Sequence, residues 1–198
     1  MPPLVIAHRG ASAQAPENTL PAFALAAASG ADGFELDVRF SLDFVPVVVH
    51  DEDLQRTTGT EGLVREQSFQ RLQSLGISSL AEVLDGFRLP ILIEIKDDDR
   101  ELAERTAALL HGKGLEKDCW IGSPHTRLVV HLRRRFPETR LFFFPAQIFM
   151  LLRERAFGKP PSFCEILSLP ADRPLYRTSF FIGFFRRLGL KVFFWTVN

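Results

Sequence analysis

Gly33-Phe34-Glu35-Leu36-Asp37-Val38-Arg39 alternates apolar and charged residues. Successive side chains of a strand point to opposite faces, so Glu35 and Asp37 share one face while Phe34, Leu36 and Val38 share the other. Three further pieces are apolar runs that close on ionisable residues: Ile6-Ala7-His8-Arg9-Gly10, Val47-Val48-Val49-His50-Asp51 and Ile91-Leu92-Ile93-Glu94-Ile95-Lys96. In the last of these, Leu92, Glu94 and Lys96 lie opposite Ile91, Ile93 and Ile95. His8 is in phase with Ile6, and His50 with Val48. With the apolar faces packed on helices and the other faces turned inward, the ionisable residues converge at the carboxyl rim of a parallel barrel. Active sites of such barrels sit at that rim.

Short apolar runs alternate with helical segments along the rest of the chain, the pattern of an α/β fold with a parallel sheet. Strand one is expected at about Leu4–Ala7. Thr19 is an N-cap candidate, with Pro21 in the first turn of a helix near Leu20–Ala28 that ends before Gly30. Strand two is Gly33–Val38 and strand three Val45–His50. Residues 51–86 then interrupt the alternation with a polar turn, Thr57-Thr58-Gly59-Thr60-Glu61-Gly62, and two short helices near Ser68–Leu75 and Ser79–Leu84. This stretch reads as an insertion at the barrel rim, where specificity is often set. Strands follow at Ile91–Ile95, Cys119–Gly122, Leu141–Phe144, Glu165–Leu169 and Val192–Thr196. Helices are expected near Arg100–His111, Thr126–Arg135 and Ser179–Leu188. The expected architecture is a TIM-type (β/α)8 barrel forming one domain over residues 1–198.

Composition narrows the function classes. The chain has 198 residues, 46% hydrophobic and 24% charged, enough for one domain with a real core. Its formal net charge is zero and it has no basic stripe interleaved with aromatics, so no nucleic-acid partner is expected. Met1-Pro2-Pro3-Leu4 has no basic start and no long apolar run, which argues against a signal peptide. The longest uncharged apolar-rich run, residues 141–152, is too short to span a bilayer and contains Pro145. No transmembrane segment and a cytoplasmic location are therefore expected. Cys119 and Cys164 lack metal-ligand spacing and read as reduced, packed thiols. Of 19 Phe, 13 lie at Phe136 or later. That bias is read as core packing on the outside of the barrel rather than a lipid-facing surface.

The rim residues define a chemistry. Carboxylates confined together repel one another unless a cation neutralises them. An all-oxygen ligand set suits a hard divalent ion, Mg²⁺, Ca²⁺ or Mn²⁺, rather than zinc. Such an ion can hold a phosphoryl oxygen, and Arg9 with Lys96 completes an anion-binding cluster. Two histidines flanking a phosphate can act as general base and general acid. The residues point to metal-assisted cleavage of a phosphate ester. Singly, each piece has a structural explanation: a turn at His8-Arg9-Gly10, a wet strand face at Glu35/Asp37, a loop hydrogen bond at His50-Asp51, a surface ion pair at Glu94/Lys96. All four in this order, each at a strand end, are hard to explain as structure alone. His111, His125 and His131 lie on or beside predicted helices without a carboxylate partner pattern and read as structural. Asp97-Asp98-Asp99 reads as a solvated helix start favoured by the helix dipole.

The chain resembles the glycerophosphodiester phosphodiesterase family. The resemblance rests on Ala7-His8-Arg9-Gly10, Pro16-Glu17-Asn18-Thr19, Phe34-Glu35-Leu36-Asp37-Val38, His50-Asp51, Arg56-Thr57-Thr58-Gly59, Glu94-Ile95-Lys96 and Trp195-Thr196-Val197-Asn198. It implies a TIM-type barrel with a small insertion, one divalent cation, and hydrolysis of small glycerophosphodiesters to sn-glycerol 3-phosphate and an alcohol. It further implies Glu35, Asp37 and Glu94 as metal ligands, His8 and His50 as the acid–base pair, and Arg9 and Lys96 as phosphate contacts. Glu17 would orient Arg9, and Trp195 would line the substrate pocket.

The sequence departs from the family pattern in three places. Where a Lys-Asp-Gly turn is usual, it has Ser41-Leu42-Asp43-Phe44, with Phe44 at the expected Gly. The insertion is compact at Leu75-Gly76-Ile77-Ser78-Ser79-Leu80, which bears on alcohol specificity. Family members continue past the Trp-Thr-Val-Asn strand with a helix and a closing strand, so the barrel is expected to lack its C-terminal closing segment and to expose a strand edge. Two rivals to the diesterase remain at this level: a lysophospholipase D acting on lysolipids, and a truncated, non-catalytic remnant.

Overall fold

The structure, a computed structural model, describes residues 4–148, 164–187 and 189–195. Its strands are β1 Ile6–His8, β2 Gly33–Phe40, β3 Pro46–Val48, β4 Ile91–Ile95, β5 Cys119–Gly122, β6 Arg140–Phe143, β7 Cys164–Pro170 and β8 Lys191–Trp195. Its α-helices are α1 Leu20–Ala28, α2 Gln55–Thr58, α3 Phe69–Ser74, α4 Leu80–Gly86, α5 Arg100–Lys113, α6 Thr126–Arg135 and α7 Ser179–Arg187.

Seven strands form one parallel path in the order β1-β2-β4-β5-β6-β7-β8. One face carries Phe34, Leu36, Val38, Ile91, Ile93, Ile95, Ile121, Leu141 and Phe143. These pack on Phe23, Leu102, Ala107, Leu128 and Leu132 of the helices in the main core. The opposite face carries a second cluster, Leu92, Trp120, Phe142 and Ile166. Ile6 of β1 and Phe193 of β8 both pack against this second cluster, although they belong to opposite ends of the strand path. The sheet is therefore curled, and it forms an incomplete TIM-type barrel. Among the described residues β1 and β8 are its two edges. No helix of the described residues is long and apolar enough to cross a membrane.

The helices start where side chains can satisfy free backbone N–H groups. Thr19 caps α1 by accepting from Ala22 N, with Pro21 in the first turn. Ser79 and Glu82 form a reciprocal capping box at α4. Asp99 caps α5 by accepting from Glu101 N and Leu102 N, and Gly114 ends it in the left-handed region at φ 67°. The other two acids of the Asp97-Asp98-Asp99 run are not merely solvated: Asp97 pairs with Arg39 and Asp98 with Arg127.

One expectation is corrected. The Val45–His50 strand is not a strand of the parallel barrel. β3 runs antiparallel to β2, with Val38 opposite Val48 and Phe40 opposite Pro46, off the parallel path. The cause is the connector: residues 41–45 are too few for the crossover a parallel pairing needs, which takes a dozen residues or more. In that connector Phe44 does stand where Gly is favoured, at φ 59°. Its ring lies edge-on to Phe40, and Arg105 Nη1 donates to its carbonyl at 2.9 Å.

Residues 51–86 build a small core of their own. Val47, Val49, Leu54, Val64, Leu72 and Ile77 form a cluster separate from the main one. The phenylalanines of the second half divide among several places. Phe143 and Phe185 join the main core, Phe142 lies on the inner face, and Phe180 is exposed. Phe149, Phe157 and Phe163 lie outside the described residues. Packing outside the barrel thus accounts for only part of the Phe bias. Cys119 is a buried free thiol, its pKa pushed up to about 12 by burial; the side chain of Cys164 is outside the described part.

Candidate active site

The loop after β1 is bent onto the sheet by two residues in the left-handed region that are not glycine, Arg9 at φ 58° and Asn18 at φ 59°. Such backbone persists only where surrounding contacts fix it, and it clusters at functional sites. Here Arg9 N donates to the Glu35 carbonyl at 2.9 Å and Asn18 N to the Arg9 carbonyl at 3.0 Å. Asn18 Nδ2 then donates to Asp37 Oδ2 at 2.9 Å. Gly10 has φ 80°, and a Cβ there would sit 2.8 Å from Ala22. Only glycine allows α1 to approach so closely.

The inward face of β2 and β4 carries the acidic residues. His8 is the register partner of Glu35, and Asp37 that of Glu94. Glu35, Asp37 and Glu94 each offer a carboxylate oxygen within 4.8 Å of the others. Glu35 and Asp37 are buried, at 5% and 1% exposure. Lys96 Nζ donates to Glu94 Oε1 at 2.7 Å and lies 3.6 Å from Asp37 Oδ1. Arg9 Nε pairs with Asp37 Oδ2 at 3.2 Å.

These cations do not fully offset the crowding. Burial, with the charges of Asp37 and Glu94 beside it, pushes the Glu35 carboxyl well above the usual range. Burial also raises Glu94; Lys96 opposes that shift and Asp37 adds to it. Asp37 Oδ1 is buried without a hydrogen-bond partner among the described residues. An all-oxygen donor set, a buried carboxylate oxygen without a hydrogen bond and raised carboxyl pKa values together fit a hard divalent cation.

The two histidines line a pocket together with Glu35 and Glu94 of this cluster. His8 Nε2 lies 3.7 Å from Glu35 Oε2. Burial and then Arg9 lower its pKa, against the pull of Asp37 and Glu17. His50 follows β3, and its Nδ1 lies 2.6 Å from Asp51 Oδ1. Arg56 holds the Asp51 carboxyl at about 2, so it is ionised at neutral pH. An ionised carboxylate only accepts. His50 Nδ1 is therefore the donor, which leaves Nε2 for proton exchange. Both histidines line one pocket of about 290 Å³ with Arg9, Glu35, Glu94 and Lys96, and Phe142, Phe144 and Phe193 line it too.

The structure joins His8, Glu35, Arg9, Asp37, Lys96 and Glu94 through direct contacts, and His50 lines the same pocket as His8, Arg9, Glu35, Glu94 and Lys96. Trp195 ends β8, opposite Pro170 in register, but its side chain lies outside the described residues. Glu17 Oε1 accepts from Arg9 Nη1 at 3.1 Å. Sequence reasoning gave Asn18 no role, although it sits in the quoted Pro16-Glu17-Asn18-Thr19 piece, and a polar amide next to a candidate acidic site was the available signal. His125 and His131 have carboxylate neighbours after all. His131 Nε2 is 2.7 Å from Glu104 and His125 Nδ1 3.8 Å from Asp98. His125 Nε2 also meets the Lys96 carbonyl at 3.1 Å. His111 meets Thr139 Oγ1 at 3.1 Å. None of the three lines the pocket.

Comparison with known proteins gives the family of the chain. The sequence pattern of the glycerophosphoryl diester phosphodiesterase family matches residues 8–131. YhdW of Bacillus subtilis (strain 168) is 31% identical over 211 residues, covering 98% of this chain and 86% of its own. The crystal structure of a glycerophosphodiester phosphodiesterase from Thermotoga maritima superposes with a TM-score of 0.79 at 30% identity, covering 100% of this chain and 88% of that one. An Oleispira antarctica phosphodiesterase, solved with the product sn-glycerol-3-phosphate, gives a TM-score of 0.80 at 26% identity over 99% of this chain and 85% of its own. With a family match over residues 8–131 and a relative 31% identical across 98% of the chain, the chain belongs to the glycerophosphoryl diester phosphodiesterase family of enzymes.

Proposed function

We propose that this enzyme hydrolyses glycerophosphodiesters to sn-glycerol 3-phosphate and an alcohol, using one divalent cation held by Glu35, Asp37 and Glu94. The observation that carries the reading is the three-carboxylate cluster in a pocket that also holds His8, His50, Arg9 and Lys96. The Oleispira antarctica relative, solved with that product, supports the substrate class. In this reading residues 1–198 form one catalytic domain and residues 51–86 its rim insertion.

Arg9 and Lys96 bind the phosphate diester and orient it between the histidines. When bound, Mg²⁺, Ca²⁺ or Mn²⁺ supplies Lewis-acid stabilisation of charge on the phosphoryl oxygens. One histidine takes the proton of the glycerol hydroxyl adjacent to the ester. That oxygen attacks phosphorus, the P–O bond to the alcohol breaks, and the second histidine protonates the departing oxygen. Water then opens the cyclic phosphate with the proton transfers reversed, which returns both histidines to their starting states. Trp195, at the end of β8, would line the substrate pocket.

A lysolipid diester is a second reading, favoured by the Phe142, Phe144 and Phe193 wall. The test is release of glycerol 3-phosphate from glycerophosphocholine and glycerophosphoethanolamine after EDTA treatment and readdition of each metal. Metal-restored release is expected, with His8→Ala and His50→Ala each lowering kcat by about 10²–10⁴-fold. Turnover of lysolipids alone would favour the second reading. A folded sample that cleaves neither class would overturn both.

A further inference from the structure

We infer that Arg56, on the rim insertion, is a positioning residue that orients the His50 ring and ties it to Arg9 and Asp37 on the barrel. The inference rests on the proposed acid–base role of His50. A single series of charged contacts carries it. His50 Nδ1 meets Asp51 Oδ1 at 2.6 Å. Arg56 Nε donates to Asp51 Oδ2 at 2.5 Å. Arg56 Nη2 and Nη1 donate to the two oxygens of Glu17 at 2.6 and 3.1 Å. Glu17 Oε1 also accepts from Arg9 Nη1 at 3.1 Å, and Arg9 Nε pairs with Asp37 at 3.2 Å. The route joins one histidine to one acid of the metal cluster through Asp51, Arg56, Glu17 and Arg9.

The series runs along the boundary between two cavities. His50 lines both the 290 Å³ pocket and a neighbouring one of about 380 Å³. Glu17 and Arg56 line the second, and Arg9 the first. Arg56 sits on α2, a single turn anchored by buried Leu54 and ended by Gly59 at φ 69°. Its guanidinium spends three donors in two directions at once, which the planar fork of arginine permits and a lysine ammonium does not. The side chain is 51% exposed. Ion pairs so exposed add little to stability, so this network is worth more as a geometric constraint on His50 than as a fold clamp.

The test reads His50 directly. Ring ¹⁵N shifts of His50 are recorded in the full chain, in Arg56→Ala, in Arg56→Lys and in Asp51→Asn, with the resonance assigned by its loss in His50→Asn. Arg56→Ala and Asp51→Asn are expected to shift the His50 Nδ1 and Nε2 signals toward mixed tautomers. They are expected to lower kcat about 10–100-fold, as loss of a supporting partner does at other active sites, with KM within about threefold. Guanidinium ion should restore part of the Arg56→Ala rate, and Arg56→Lys should recover less than half of the loss. An unchanged His50 spectrum in Arg56→Ala overturns the inference, as does a rate loss that only follows a fall in Tm. If Arg56→Ala does not fold, Asp51→Asn decides by the same spectrum. If the wild type cleaves no diester, the functional reading fails, while the spectra still decide whether Arg56 governs His50.

Discussion

Asp37 and Glu94 face each other across neighbouring parallel strands, as register partners of β2 and β4, with Glu35 close enough to join them around one ion. Without metal this is an electrostatic load. The Glu35 and Glu94 carboxyls have folded pKa values raised above 4.5. A raised carboxyl binds a proton more tightly folded than unfolded. Its contribution is therefore present below pH 4.5 and lost as pH rises through the folded value. In EDTA, the Glu35 and Glu94 share of stability should fall as pH is raised above 4.5, against an opposite share from His8, whose pKa is lowered from 6.5. A divalent ion at 100 times its Kd should add about 2.7 kcal/mol, or about 5–10 °C for a domain of this size. It should also flatten the pH slope. Asp37→Asn should lose most of the metal-induced rise. Calorimetric melts at several pH values, with and without Mg²⁺, Ca²⁺ or Mn²⁺, check this; a metal effect of equal size in Asp37→Asn would speak against the site.

Asn18 answers two demands at once: a left-handed backbone at φ 59° and a donor for the buried Asp37 carboxylate. Asn18→Gly keeps the first and leaves Asp37 Oδ2 with Arg9 alone, which should cost about 1–3 kcal/mol for the lost hydrogen bond to a charged group. Asn18→Ala loses both and should cost about 1–2 kcal/mol more, from Cβ crowding in that conformation. Urea melts should rank wild type above Asn18→Gly and Asn18→Ala last. An alanine variant as stable as the glycine one would contradict this account.

Gly122 is the register neighbour of Glu94, and a Cβ on it would lie 2.5 Å from the Phe142 ring. Phe142 is 1% exposed and has no room to retreat without moving its neighbours. Gly122→Ala should destabilise by about 1–3 kcal/mol. Because Phe142 also lines the pocket, the same variant should raise KM. Equilibrium unfolding with steady-state kinetics on one sample checks both parts, and unchanged values would mean that the ring moves freely.

Much of the fold was legible because β4, β5 and α6 are unambiguous in sequence. Ile91–Ile95 and Cys119–Gly122 are short apolar runs, and Thr126–Arg135 repeats Leu128, Val129 and Leu132 at helical spacing. The direction of β3 was not legible, since alternation has the same period in parallel and antiparallel strands. The length of the connector decided it. α2 was also missed. Gln55-Arg56-Thr57-Thr58 has weak helix propensity and is held by the burial of Leu54. In the site, the strand-borne acids were legible from their phase. The link from Arg56 to Glu17 spans 39 residues and leaves no periodic trace, and the role of Asn18 depends on a loop conformation that no spacing reports.

The mounting of His50 has a thermal consequence. His8 belongs to a barrel strand, whereas His50 leaves β3 inside a rim unit with a core of its own, Val47, Val49, Leu54, Val64, Leu72 and Ile77. Small cores open at lower free energy than large ones. The two halves of the proposed acid–base pair would thus be carried by parts that come loose at different temperatures. Turnover would cease when the rim unit opens, with the curled sheet still intact. The upper working temperature would then be set by the six apolar side chains of the rim core.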